Sequence, residues 1–112
     1  MKGIIIDYEL KRGYSSRFNQ KMFGRISSRN AQNGESAYYI PGVLDEVPHC
    51  RIYKGRIFIG TTGYVDFDPI LEFCSKFQTS SVDRDEEDLF IKTGRERWKF
   101  HAIERGYKID WE

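Results

Sequence analysis

Apolar and polar residues alternate along the chain in short stretches, and no internal repeat or low-complexity run interrupts them. The β-branched run Ile4-Ile5-Ile6 predicts a strand over 3–10, with Ile4, Ile6, Tyr8 and Leu10 on its buried face. Ser15 or Ser16 then caps a short helix over 17–23, which Gly24 ends in the left-handed conformation. Phe18 and Met22 share one helical stripe, extended to Ile26 if the helix continues, and Arg17, Lys21 and Arg25 form a second stripe beside it. Arg29 follows in a polar stretch over 27–36, where Asn33-Gly34 reads as a tight turn.

A short strand over 38–40 stops at Pro41-Gly42, and 43–48 reads as irregular because Pro48 drives Val47 toward extended geometry. The stretch 51–59 reads as one bulged strand or as a hairpin turning at Lys54-Gly55, followed by a loop over 61–65. Asp68 as N-cap, Pro69 in the first turn and Ile70, Phe73, Cys74 and Phe77 on one face predict a second helix, with Lys76 in its last turn. An acidic loop over 83–88 comes next. Alternation then predicts strands over 89–92, 97–103 and 107–111, joined by turns at Thr93-Gly94 and Arg105-Gly106. The expected fold is α+β in a single domain over 1–112: an antiparallel or mixed sheet, two helices packed on one face, and a C-terminal β-meander.

Composition adds little to the fold and more to the chemistry. An apolar share of 39% and an aromatic share of 15% are those of a folded chain. The two cysteines, Cys50 and Cys74, make no disulfide framework and read as buried thiols. Neither a signal peptide nor a membrane-spanning run is visible, so a cytoplasmic location is expected. The net charge of +1 hides an uneven distribution: residues 1–34 carry +5, while residues 61–90 carry −6. Such asymmetry fits a polyanion-binding face, and it equally fits a fold in which the basic segments pair with the acidic one.

Histidine and cysteine do not occur at the close spacing of a zinc site, and His49, Cys50, Cys74 and His101 would need the fold to gather them. Cysteine–histidine nucleophile pairs face the same requirement. Asp66, Asp68 and Glu72 lie close enough to suggest a metal-dependent nuclease, yet Asp68 is accounted for as a cap and Glu72 as a first-turn acid. No motif calls for a cofactor, and a non-enzyme is expected. Nucleic acid, RNA or DNA, is the favoured partner. Lys11, Arg12, Arg17, Lys21, Arg25 and Arg29 would hold phosphates, and Tyr14 or Phe58 would stack on bases. The competing reading is a protein-interaction or self-associating module presenting Tyr38, Tyr39 and Tyr64, or pairing through the strand that ends in Trp111.

Ile57-Phe58-Ile59-Gly60-Thr61 resembles the shorter ribonucleoprotein strand of RNA-recognition-motif domains, and residues 105–111 are faintly similar to the longer one. The resemblance implies two adjacent strands in one sheet whose aromatic rings stack on bases. It spans about a dozen residues and assigns the chain to no family. Lys108 stands where a small residue is expected, and the further helix and strand of that family do not follow.

Overall fold

A computed structural model describes residues 2–27, 37–61, 63–83, 91–107 and 109–111. Strand β1 (Lys2–Leu10) is the spine. It pairs antiparallel with β5 (Arg56–Ile59) on one side and β6 (Cys74–Asp83) on the other, and β4 (His49–Tyr53) completes a four-stranded sheet in the order β4-β5-β1-β6. Register explains the burial. Ile4 faces Ile59, Ile6 faces Ile57 and Tyr8 faces Phe77, so one side of the sheet is lined by apolar cross-strand pairs. The β4–β5 connection is a hairpin at Lys54-Gly55, where Gly55 takes φ 91°.

Helix α1 (Ser15–Phe23) buries Phe18, Met22 and Phe23. Phe18 stacks on Tyr8 at 4.6 Å, and the core joins Ile6, Ile57 and Ile59 of the sheet to these helix residues, Leu44, Ile70 and Phe73. The helix starts at Ser15 without a side-chain cap. Gly24 ends it with φ 83° and ψ 177°, an extended exit rather than the left-handed helical turn the sequence suggests. The chain then enters β2 (Arg25–Ser27), which pairs antiparallel with β3 (Ala37–Ile40), and β7 (Ile109–Asp110) adds to β3 in parallel as a second, three-stranded sheet. Arg25 therefore leaves the Arg17/Lys21 helical stripe, and Ile26 does not continue the apolar one. The expected turn at Asn33-Gly34 falls outside the described residues, as does all of the acidic loop except Asp83.

Two expectations are overturned. The second helix is confined to α2 (Asp68–Leu71), and residues from Cys74 onward form β6. Asp68 is not its N-cap; that position is Phe67, and Asp66 Oδ1 accepts the Asp68 amide at 3.0 Å. Pairing of β6 with β1 from Leu10 to Lys2 outweighs the helical signal at 73–77. The C-terminal meander is also absent, because 97–103 lies within α3 (Gly94–Arg105). Thr93 is the N-cap, accepting the Glu96 amide at 3.2 Å, and Gly106 closes the helix in the left-handed region at φ 69° and ψ 24°.

The strands that resemble ribonucleoprotein motifs are not neighbours: β5 lies in the four-stranded sheet and β7 in the other. Phe58 is fully buried, so it offers no ring for stacking on a base. No helix among the described residues is long and apolar enough to cross a membrane.

Candidate functional site

Helix α3 is tied across the molecule by named contacts. Gly94 N–H donates to Leu44 O at 2.9 Å, Arg95 donates to Trp111 O at 2.9 Å, and Trp98 Nε1 donates to Phe23 O at 2.8 Å. Lys92, just before the helix, exchanges backbone hydrogen bonds with His49 at the edge of β4. These ties leave a groove of about 950 Å³ between α1 and α3. Ser16, Asn19, Gln20 and Phe23 line it from α1, Arg25 and Ile26 from β2, His49 and Arg51 from β4, and Arg97, Trp98 and His101 from α3, with Tyr107 beyond the helix end.

Two of the three arginines in this lining, Arg51 and Arg97, are oriented by neutral groups. Arg51 Nη2 donates to Asn19 Oδ1 at 2.8 Å, and its guanidinium lies 3.8 Å from the centre of the Phe23 ring. Arg97 Nη1 donates to His49 Nε2 at 3.3 Å. The opposite ring nitrogen, Nδ1, donates to Val47 O at 2.8 Å, which fixes the tautomer with an open lone pair toward Arg97. His49 is 1% exposed, and burial, with Arg97 and Arg51 nearby, pushes its pKa down to about 4 against the opposing hydrogen bond to Val47. Burial also lowers the Arg51 pKa; Tyr8 opposes this and Arg97 adds to it. Arg51 remains cationic regardless.

No aspartate or glutamate lines the groove among the described residues. The ion pairs found among those residues lie elsewhere: Arg56 with Asp7 at 2.8 Å, Lys76 with Glu9 at 3.9 Å and Arg95 with Asp45 at 3.4 Å. Among the described residues, the groove therefore holds positive charge without a carboxylate in its lining, beside the rings of Trp98 and Tyr107.

The residues singled out from sequence do not form one surface. Arg25 lines the groove; Lys11, Arg12, Tyr14, Arg17 and Lys21 do not. Lys11 and Arg12 are exposed where β1 turns into α1. Tyr14 is half-buried against Phe73 at 5.7 Å, with the Arg17 guanidinium 5.4 Å from its ring. Arg17 and Lys21 sit roughly 110° and 150° around α1 from the mean direction of its groove-facing residues, and Lys21 borders a smaller recess shared with Asp45, Glu46 and Asp66. Arg29 lies outside the described residues.

Sequence reasoning missed Asn19, His49, Arg51, Arg97 and Trp98. One local signal was present: Thr93-Gly94-Arg95-Glu96 has the capping-box spacing, and a helix from there sets Arg97, Trp98 and His101 on one side. Cys50 and Cys74 are free and half-buried, and burial raises the Cys74 pKa. Among the described residues, no three of His, Cys, Asp and Glu are grouped to hold a metal ion. Compared with known proteins, the chain matches no family model, no curated protein and no solved structure.

Proposed function

We propose that this protein binds nucleic acid, RNA or DNA, in the groove between α1 and α3, chiefly through the phosphate backbone. The observation that carries the reading is the set of guanidinium groups, Arg51 and Arg97 with Arg25 nearby, in a lining with no carboxylate among the described residues. Arginine forks match phosphate oxygens, and the aromatic rings beside them suit base stacking. Single strands fit better than duplex, because the arginines sit in a recess and a duplex presents its phosphates on a wide convex rod. Sequence readout is not part of the proposal, since phosphate contacts position a ligand without reading its bases.

The test is fluorescence anisotropy with labelled single-stranded RNA, single-stranded DNA and duplex, repeated across salt concentrations. Three phosphate contacts to a single strand give a logarithmic salt slope of about 2. Arg51→Gln with Arg97→Gln is expected to weaken binding far more than Lys11→Ala with Arg12→Ala. Absence of binding to all three oligonucleotides at low salt would exclude the proposal.

A second reading, self-association, is favoured by exposed apolar groups on α3: Phe100 is 55% exposed and Ile103 79%. Sedimentation over a range of concentrations checks it. A concentration-dependent dimer that Ile103→Glu disperses supports self-association, and a monomer throughout excludes it.

A further inference from the structure

Arginines that must be held in place are most simply held by carboxylates, which give short, charge-assisted and often bidentate hydrogen bonds. The groove uses weaker partners. Arg51 is oriented by the amide oxygen of Asn19, and Arg97 by the ring nitrogen of His49. An aspartate at position 19 would occupy nearly the same volume and present the same acceptor, but it would cancel the charge of Arg51. His49 is packed 5.6 Å from Phe23, the same ring that lies beneath Arg51, so one aromatic side chain buttresses both supports.

We infer that Asn19 and His49 are positioning residues of an oxyanion receptor, holding Arg51 and Arg97 toward a phosphate-type group while leaving both guanidinium charges available to it. The inference rests on the proposed binding groove and adds how its charge is preserved. The shared ligand chemistry is a tetrahedral phosphorus oxyanion, whether a phosphodiester of a nucleic-acid strand or a free phosphate. The groups facing His49 are Val47 O and Arg51 from its own stretch of chain, Phe23 from α1 and Arg97 from α3. None is anionic, so a proton on Nε2 removes the acceptor for Arg97 and sets two cations against each other.

The experiment measures affinity for two probes, a labelled oligothymidylate and inorganic pyrophosphate, in wild type and in Asn19→Asp, Asn19→Ala, His49→Gln and His49→Leu, with thermal melts confirming that each variant folds. Asn19 is exposed, so its variants test charge and geometry apart from core packing. Asn19→Asp is expected to lose about tenfold or more in affinity, from the charge-assisted contact it disables. Its salt slope for the oligonucleotide should fall by about 0.7. Its melting temperature should stay level or rise. His49→Gln keeps an acceptor for Arg97 and should bind within about threefold of wild type, whereas His49→Leu, if folded, should bind about tenfold more weakly.

Wild-type affinity in Asn19→Asp overturns the inference. So does a His49→Gln variant that folds but binds no better than His49→Leu. Should pyrophosphate bind and respond to Asn19→Asp while the oligonucleotide does not bind, the nucleic-acid reading fails and the receptor stands. If neither probe binds wild type, both fall.

Discussion

His49 is a titratable ring held neutral by its surroundings. Its depressed pKa, about 4, arises first from burial and lies below the ordinary histidine value of 6.5. The unfolded chain takes up the proton before the folded one. His49 therefore contributes stability that is fully present above pH about 6.5 and is lost as the pH falls toward about 4, by on the order of 3 kcal/mol in total. Urea denaturation at several pH values should show this loss in wild type and a shallower one in His49→Gln. Gly3 is a second sensitive point. A Cβ there would meet the Ile59 carbonyl and lie 2.7 Å from the Phe58 ring. Gly3→Ala is expected to destabilise by about 1–3 kcal/mol, read from the denaturation midpoint. Phe58 was open to misreading because both faces of β5 carry large apolar side chains, Ile57 and Ile59 on one and Phe58 on the other, and alternation alone does not say which face is covered.

At the level of elements, β1, α1 and β3 were legible from local patterns, and the β4–β5 hairpin is one of the two readings open for 51–59. The failures share a physical cause. A four-residue spacing satisfies both the helical period and the strand period, so Phe73 with Phe77 fits a strand face as well as a helix face, and so does Trp98 with Ala102. Pairing settled the first case in favour of β6, which binds along β1. Capping settled the second. Thr93 and Gly106 bracket α3 and satisfy backbone groups that a strand would have paired elsewhere. Thr93→Ala should cost about 1 kcal/mol through the lost cap. Gly106→Ala should cost a similar amount, about 1 kcal/mol, because the left-handed conformation disfavours a Cβ. Both changes are measurable by urea denaturation. The same two substitutions should also weaken binding, since Arg97 is placed by this helix.

Across the whole molecule, the groove draws its arginines from positions 25, 51 and 97 and their supports from positions 19 and 49. No window of sequence contains them. Charge along the chain is most positive over residues 1–34, whereas Arg51 belongs to a stretch with balanced charge and Arg97 to one with only a slight excess. Folding concentrates cations that the sequence keeps apart. A ligand that binds only the folded groove stabilises it by mass action, by about 2.7 kcal/mol at a concentration one hundred times its dissociation constant. Pyrophosphate or a binding oligonucleotide should therefore raise the melting temperature of wild type and leave Arg51→Gln with Arg97→Gln unmoved.

Because the described lining of the groove contains no carboxylate, a magnesium ion has no anionic protein anchor there from which to bridge to a phosphate. On the proposed nucleic-acid reading it remains a counter-ion of the strand and has to be displaced as the arginines close in. Divalent salt then acts as a competitor. Millimolar magnesium should release the strand more effectively than sodium at equal ionic strength, and chelation should tighten the complex rather than dissolve it.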